Sequence, residues 1–450
     1  MRALALLVLA AIPLAGCATH TIDAASVRGH EEFLAGDALN GRGSGTRDEW
    51  VAASYIASQL RRWGLEPLGD QGGFVQAVEL ARVQVTAPPV LTAGSMRVTH
   101  GKEMIVQGLA ALRVAGPLWK FQRGTTMPAG SVVLMPEGAV PGAAEATANA
   151  AAVLTIENAQ SRSRWEVQGA RPISLPARIV ALPAPAAGTV RLPARITLET
   201  ASHAAMSALA DGTPVTLEAA GSETTTHTWN AVGRLKGRDT AMANDAILLT
   251  AHLDHLGGNG AGPDRVFNGA DDDASGSTAV LELAEALAKG KRTRRTLIFA
   301  WFGSEEAGGY GARYFVERPP VPLEHIVANL EFEMIGRADK AVASHTLWLT
   351  GYERSNLGPE LARRGARIVA DPHPDQHFFE RSDNIVLARK GVVAQTVSSY
   401  GLHNDYHQPS DDVAHLDVPH MTESIRSMLK PVLWLANSTF VPAWLPGKRP

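Results

Sequence analysis

From residue 230 onward, short apolar runs alternate with a helical pattern, and a histidine or an acidic residue follows each run. Residues 246–250, 296–302, 327–332 and 391–397 are dominated by apolar residues, as expected for buried strands, whereas residues 275–288 repeat apolar residues at helical spacing. Strands that alternate with helices are typical of a sheet covered by helices. The sequence therefore predicts an α/β fold with a mixed central sheet and helices on both faces.

Five candidate metal ligands accompany these elements. His252, Glu306 and Glu333 follow the first three apolar runs, His407 lies in the loop after the fourth, and Asp272 begins the helical pattern. Open α/β sheets place their sites beyond the carboxyl ends of the strands, and a helix start favours a carboxylate. Imidazole and carboxylate are ligands that zinc prefers, and a bridging carboxylate lets two ions share one water. The pattern therefore predicts metal-assisted hydrolysis.

Each candidate also has a simpler explanation. A lone histidine such as His252 is more often structural, although Asp254 two residues later could accept its second ring proton and fix the tautomer. The acids at 271–273 could be an N-terminal cap, although three adjacent carboxylates repel one another unless a cation neutralises them. Glu305 and Glu306 could belong to a solvated turn. Only the joint pattern is specific.

That joint pattern resembles a known family. The motifs AHLDHLG, NGADDDASGS, FGSEEAGGYGARYF, NLEFEMIGR, RSDN and NDYHQPSDD occur in this order. They are similar to the co-catalytic zinc exopeptidases, which include secreted bacterial leucyl aminopeptidases, glutamate carboxypeptidase II and, as relatives, the glutaminyl cyclases. The similarity covers residues 228 to about 436, and residues 32–60 resemble the family's N-terminal segment. The resemblance implies the zinc exopeptidase fold.

The resemblance also implies a ligand set for two Zn²⁺ ions per chain. His252 and Glu333 would bind one zinc, Glu306 and His407 would bind the other, and Asp272 would bridge them. Mn²⁺ or Co²⁺ could occupy the same nitrogen and oxygen donors.

Three further roles follow from the resemblance. Glu305 would be the general base that accepts a proton from the attacking water, and Tyr406 would donate a hydrogen bond to the oxyanion. Asp254 would orient His252. Many family members carry Asp where this chain has Glu333, and Glu331 is the rival ligand because it lies two residues earlier on the same strand face.

The implied function is that of an exported aminopeptidase that removes N-terminal residues from peptides. A carboxypeptidase of the same family shares every motif and stays open as an alternative, whereas a glutaminyl cyclase would use one zinc. A vestigial site would lack a ligand or the base, and all are present. A serine hydrolase is disfavoured because the sequence contains no GxSxG motif.

The first residues are typical of an export signal. Arg2 precedes an apolar stretch at 3–13 that is too short to span a bilayer, and residues 14–17 (LAGC) resemble a bacterial lipobox. Cys17 would then carry the lipid and anchor the protein to the outer membrane, in the periplasm or at the cell surface. The alternative is an ordinary secretory signal cut near Ala18. Cys17 is the only cysteine, so no intrachain disulfide can form.

The remaining sequence suggests further domain boundaries. Residues 24–84 carry helical patterns and would be the N-terminal part of the peptidase domain, with a helix at 50–63 that Asp48 caps. Residues 85–226 contain short apolar runs between Pro, Gly and Ala, which predicts a β-rich insert at the position where some family members carry a protease-associated domain. Residues 227–440 would be the di-zinc peptidase domain.

The net charge and the distribution of basic residues indicate which classes of partner the protein can bind. The formal net charge is −3, and the basic cluster at 291–295 follows a predicted helix, where cations favour the helix dipole. We therefore expect no nucleic-acid partner and a peptide with a free terminus as substrate, with the membrane contacted through the lipid anchor alone. The oligomeric state is not readable from the sequence.

Overall fold

The computed structural model describes residues 22–138, 149–183, 193–258 and 263–450. The predicted signal segment and Cys17 lie outside these ranges. The chain divides into two compact units, a larger one made of residues up to Ala77 together with Thr228–Pro450, and a smaller one, Val78–His227. The sequence-based boundary at residue 85 falls later than this division. The structural boundary lies inside the continuous strand Val75–Val85, where no turn signal marks it in the sequence.

A mixed sheet forms the centre of the larger unit. Four parallel strands stand at its middle, and strands antiparallel to them flank the group on either side. In sheet order the strands are Ile368–Ala370, Leu347–Leu349, Ala394–Ser398, Ile326–Phe332, Ala246–His252, Thr296–Phe302 and the end of Gly221–Leu235, which pairs in turn with the short strand Glu66–Pro67. A separate small ribbon pairs Gly257–Gly258 with Val266–Phe267.

Helices cover both faces of this sheet, so the predicted fold class is confirmed. Leu249 packs into one apolar cluster and its neighbour Leu248 into another, because successive side chains of a strand point to opposite faces. The α-helices of the unit are Ala24–Leu34, Arg47–Arg62, Gly276–Lys289, Tyr310–Glu317, Leu357–Arg363, Asn384–Arg389 and Val418–Asn437.

The predicted helix near the N-terminus forms, but its start differs. It spans Arg47–Arg62, and the Thr46 side chain caps it by accepting a hydrogen bond from the Glu49 N–H at 3.4 Å. The prediction of Asp48 as the cap is therefore wrong: Asp48 lies in the first turn, where its charge still suits the helix dipole. The second predicted helix spans Gly276–Lys289, one residue later than expected.

The smaller unit is rich in β-structure. Its eight-stranded sheet has the order Met96–Thr99, Val90–Ala93, Pro214–Glu218, Arg113–Lys120, Val132–Leu134, Ala152–Ile156, Ala194–Leu198 and Met104–Gly108. Its helices are Ala159–Ser163, Trp165–Ala170 and Thr200–Ala208, and the short strand Arg178–Ile179 pairs with Val75–Val85. Leu91, Leu154 and Met206 belong to its apolar core. The likeness to a protease-associated domain stays a prediction.

No helix in the described ranges combines the length and the apolarity that a membrane crossing requires.

Candidate metal centre

The carboxyl ends of three adjacent parallel strands meet at one edge of the larger unit's sheet. His252 is the last residue of Ala246–His252 and pairs in register with Phe302 at the end of the neighbouring strand. Glu305 and Glu306 follow that neighbour, and Glu333 follows Ile326–Phe332 on the other side. The topology therefore brings these candidate residues to the same edge, as expected for an open α/β sheet.

The triple aspartate supplies one free carboxylate. Asp271 accepts a hydrogen bond from the Gly336 N–H at 2.7 Å, and Asp273 accepts one from the Met334 N–H at 3.1 Å. The middle residue, Asp272, directs its carboxylate to histidines instead. The two outer acids thus hold the loop in place, and the middle one remains available to a metal ion.

Asp272 lies between two groups of donors. Its Oδ1 is 3.2 Å from His252 Nε2, and its Oδ2 is 3.2 Å from His407 Nε2. The Oε1 atom of Glu306 is 3.1 Å from the same His407 nitrogen. Glu333 completes a group with His252 and Asp272 whose ligand atoms all lie within 4.8 Å of one another. All five predicted ligands are therefore brought together around Asp272.

The donors have the chemistry that a zinc site requires. His252 Nε2, His407 Nε2 and Glu306 Oε1 are buried and form no hydrogen bond to any residue that the structure describes. Buried polar atoms normally have partners, so these atoms around Asp272 indicate bound cations. Imidazole nitrogens and carboxylate oxygens at this spacing are suitable ligands for zinc.

The geometry separates Glu333 from its rival. Glu331 is fully buried, and its Oε2 accepts hydrogen bonds from the Asn384 N–H at 2.7 Å and the Thr396 hydroxyl at 3.0 Å. Of the two acids, Glu333 is the one grouped with His252 and Asp272. Glu331 therefore supports the start of the helix Asn384–Arg389, and the geometry favours Glu333 as the ligand.

Burial and close contacts shift the pKa values of these acids in opposite directions. Burial and, second, the nearby charge of Glu331 raise the pKa of Glu333 to about 8, because both disfavour the ionised form. Burial also opposes the ionisation of Asp272, but the close approach of His252 and His407 to its carboxylate outweighs burial and holds its pKa well below the usual range. Asp272 is thus the carboxylate that keeps its charge most readily.

The turn that carries Glu305 is fixed from two sides. Ser304 has a φ of 55°, a left-handed conformation that is uncommon for a residue other than glycine. Its N–H donates to Glu49 Oε1 at 2.9 Å, and the Glu305 N–H donates to Asp254 Oδ1 at 2.9 Å. Burial raises the pKa of Glu305 well above its usual range. Such strain is typical of residues that a fold holds in place for function.

The predicted contact between Asp254 and the ring of His252 is wrong in its detail. The Nδ1 atom of His252 is 3.1 Å from the backbone oxygen of Asp254 and 3.8 Å from its carboxylate. The carboxylate instead accepts hydrogen bonds from the Ser44 hydroxyl and the Glu305 N–H. The tautomer of His252 is therefore fixed by a backbone carbonyl, which is an equally common partner for a ligand histidine.

Tyr406 and a small pocket lie beside the ligand group. The ring of Tyr406 stacks on His407, with 3.9 Å between centroids, and burial raises the pKa of its hydroxyl, which stays protonated at neutral pH. The pocket is lined by apolar, aromatic and hydroxyl side chains together with one acid and one arginine: Glu333, Met334, Trp348, Thr350, Phe378, Arg381, Thr396, Ser398, Tyr400 and Tyr406. A side chain bound there would lie next to the candidate ligand Glu333.

Three residues support the site without belonging to the predicted set. His255, three positions after His252 in the motif AHLDHLG, is grouped with Asp272 and Glu306. Asp411 accepts the Asp272 N–H at 3.0 Å, and Glu49 holds the Ser304 turn. His255 could have been found from its motif, whereas Glu49 lies more than 200 positions away in the sequence and only the fold brings it near.

The fold is that of the zinc aminopeptidases. An aminopeptidase from Aneurinibacillus sp. strain AM-1 matches 94% of this chain and 97% of its own, with a TM-score of 0.59 and 19% identity. BSAP, a zinc aminopeptidase from Bacillus subtilis, matches 93% and 97%, with a TM-score of 0.53 and 19% identity. At these identities the likeness concerns the fold alone.

A family model and curated relatives match parts of the sequence. Residues 230–431 match the family described as Peptidase family M28, which confirms over this segment the resemblance seen in the sequence. An aminopeptidase of Pseudomonas aeruginosa is 37% identical over 112 residues, which are 25% of this chain and 19% of the relative. Leucine aminopeptidase 2 of Trichophyton equinum is 29% identical over 175 residues, 37% of this chain and 32% of the relative. The chain therefore matches about a fifth to a third of these curated relatives' length.

Proposed function

We propose that this protein is an exported aminopeptidase that uses two zinc ions to hydrolyse the first peptide bond of its substrates. One observation supports this most directly: the two carboxylate oxygens of Asp272 face two different histidines, each at 3.2 Å. A carboxylate placed in this way can bridge two ions, with His252 and Glu333 on one side and Glu306 and His407 on the other. The family match and the names of its relatives agree with this activity.

Zinc in such a site supplies Lewis acidity, which makes water a better nucleophile and polarises a carbonyl group. Glu305, held by its own N–H against Asp254, accepts a proton from the attacking water and returns it to the leaving amine. The Tyr406 hydroxyl donates a hydrogen bond to the oxyanion, since it stays protonated at neutral pH.

The pocket beside Glu333 supports a peptide substrate with an apolar first residue. Trp348, Phe378 and Tyr400 provide aromatic walls at this position. A free N-terminal amine could pair with the nearby carboxylates, which would restrict cleavage to chain ends. A carboxypeptidase would need a cation for the substrate carboxylate, and Arg381 is the lining residue that offers one. That is the second candidate function.

A panel of peptides tests the reaction class. Metal-loaded protein is incubated with one peptide whose ends are free, acetylated or amidated, and the products are identified by mass spectrometry. We expect loss of N-terminal residues from the free and amidated peptides and no cleavage of the acetylated one. A chelator should abolish the activity and zinc should restore it. Loss of C-terminal residues would favour the carboxypeptidase, and release of ammonia from an N-terminal Gln would favour the cyclase.

We also propose that Cys17 carries the lipid that anchors the exported protein. The supporting observation is the LAGC tetrad after the short apolar stretch. Metabolic labelling with a fatty acid, followed by membrane fractionation, tests this. The Cys17→Ser variant should lose both the label and the membrane association, and a label retained by this variant would contradict the proposal.

A further inference from the structure

We propose that His255 is a further protein ligand of the metal ion held by Glu306 and His407, with Nδ1 as its donor atom. The inference rests on the proposed function only in that it requires a metal ion at this site. It assigns to one ion four protein donors, namely His255, His407, Glu306 and the bridging Asp272. The other ion would have three, namely His252, Glu333 and Asp272.

The ring of His255 is fixed at the site by the surrounding backbone. The side chain is fully buried, and the residue's N–H donates to the Arg42 carbonyl oxygen at 3.1 Å. Gly269 lies against the ring, since a Cβ atom there would come within 2.5 Å of it. Arg42 in turn donates to the Gly269 carbonyl oxygen at 2.9 Å. Because this packing determines the ring position, the approach of Nδ1 to the acids is a property of the fold.

The distances match the edges of a coordination polyhedron. Zinc with ligands at about 2.0–2.1 Å in a tetrahedral arrangement places neighbouring ligand atoms about 3.3 Å apart. His255 Nδ1 lies 2.9 Å from Glu306 Oε1 and 3.8 Å from Asp272 Oδ2. His407 Nε2 lies 3.1 Å and 3.2 Å from the same two oxygens. Both histidines thus place a ring nitrogen within 3.8 Å of the same two oxygen atoms.

His255 also shares an unusual property with the two predicted ligand histidines. The nitrogens His252 Nε2 and His407 Nε2 each lie close to a carboxylate oxygen without forming a hydrogen bond within the described structure. His255 Nδ1 behaves in the same way toward Glu306 at 2.9 Å. A short distance without a hydrogen bond is expected when the lone pairs of the nitrogen and the oxygen both point to a common metal position and not to each other. The third imidazole is therefore arranged as a ligand.

The consequence is an unequal pair of metal sites. Each additional protein donor that is already in place raises affinity, so the ion next to Glu306 should bind more tightly than the ion next to Glu333. A stepwise titration should reveal this difference. A filled coordination sphere also leaves that ion fewer positions for other ligands, whereas the ion next to Glu333 stays more open.

The experiment compares metal binding by variants of the full-length exported protein, with Zn²⁺ and a competing chromophoric chelator as the probe. We expect His255→Ala to weaken one of the two ions at least tenfold and to leave the other within about twofold. His407→Ala should weaken the same ion, and His252→Ala should weaken the other. His325→Ala is the matched control, because His325 lies beside the start of the strand Ile326–Phe332, at the end opposite Glu333. Equal affinities in His255→Ala and wild type would overturn the proposal.

A direct measurement covers the case in which His255→Ala does not fold. Anomalous diffraction from the zinc-loaded wild-type protein should place an ion about 2.1 Å from His255 Nδ1. A distance above about 3 Å to every ion would refute the assignment. Neither measurement depends on turnover, so its outcome is separate from that of the peptide panel. A protein that binds zinc through His255 but cleaves no peptide would leave this inference standing and would overturn the proposed function.

Discussion

The carboxylate of Asp254 accepts a hydrogen bond from the backbone N–H of Glu305 at 2.9 Å. Its other oxygen accepts one from the Ser44 hydroxyl. The acid two residues after the ligand His252 therefore positions the candidate base, and it links the turn after one strand to the end of the neighbouring strand. The sequence motif suggests that the Asp254 carboxylate orients His252. In the structure this carboxylate positions Glu305, and the backbone oxygen of Asp254 contacts the His252 ring.

We expect Asp254→Ala to lower kcat about 10- to 100-fold with little change in KM, because the Glu305 turn loses its acceptor. Asp254→Asn keeps an oxygen acceptor and should retain most of the activity. Steady-state kinetics of both variants at equal metal content provide the check. Equal losses in the two variants would indicate that the negative charge, and not the hydrogen bond, is what matters.

Glu305→Gln should lower kcat by about 10² to 10⁴, since the amide cannot accept the proton of the attacking water. Metal content should stay at the wild-type level, because Glu305 is not among the grouped ligands. Glu306→Gln is the matched control on the adjacent residue, and it should lose metal as well as activity. Kinetics paired with metal analysis separate the two. Substantial turnover by Glu305→Gln would remove it from the role of base.

The sequence predicted much of this arrangement, because strand ends, a helix start and motif order are local features. The strand Thr296–Phe302 has the predicted bounds, and all five predicted ligands meet around Asp272. What the sequence could not supply is the set of contacts between distant segments. Glu49 reaches the Ser304 turn from a helix more than 200 residues earlier.

The contrast between the two acids of NLEFEMIGR illustrates the same limit. Glu331 and Glu333 are two residues apart, so strand periodicity assigns them to the same face and cannot choose between them. The choice depends on Asn384 and Thr396, whose N–H and hydroxyl groups engage Glu331. Only the packing of the later helix Asn384–Arg389 and strand Ala394–Ser398 separates the buried structural acid from the candidate ligand.

Tyr406→Phe should lower kcat about 10²- to 10³-fold with a small change in KM, because the oxyanion loses one hydrogen-bond donor. The stacking of the ring on His407 at 3.9 Å survives the change, so metal affinity should be unaffected. Tyr400→Phe serves as the control, since Tyr400 lines the same pocket. If both variants lose activity equally, the hydroxyl of Tyr406 has no special role.

Phe378→Ala should change which first residue is preferred. Phe378 forms a pocket wall between Trp348 and Tyr400, at ring distances of 5.4 Å and 5.8 Å. Its removal enlarges the pocket. The ratio of kcat/KM for phenylalanyl substrates to kcat/KM for leucyl substrates should therefore rise about tenfold. The neighbouring Phe379 packs into a different apolar cluster, and Phe379→Ala should leave this ratio unchanged. An unaltered ratio in Phe378→Ala would show that the side chain binds elsewhere.

Glu282 should make the stability of the protein depend on pH. The side chain is fully buried 3.7 Å from His30, and burial raises the pKa of Glu282 to about 7 and lowers that of His30 to about 4. Between about pH 4.5 and pH 7, Glu282 is therefore protonated in the folded state, whereas the same carboxyl group is ionised in the unfolded chain. The contribution of protonated Glu282 to the free energy of unfolding is complete below pH 4.5, the usual pKa of this group. It is lost as the pH rises through about 7.

Glu282→Gln keeps the shape of the protonated acid and removes this loss. At pH 8 we expect the variant to be about 2–3 kcal/mol more stable than wild type, and at pH 4.5 the two should differ little. Denaturant unfolding at both pH values measures the difference. Glu32→Gln, a change on the exposed face of the adjacent helix Ala24–Leu34, should have a small effect at either pH. A gain for Glu282→Gln that is equal at both pH values would show that the charge of Glu282 is not the cause.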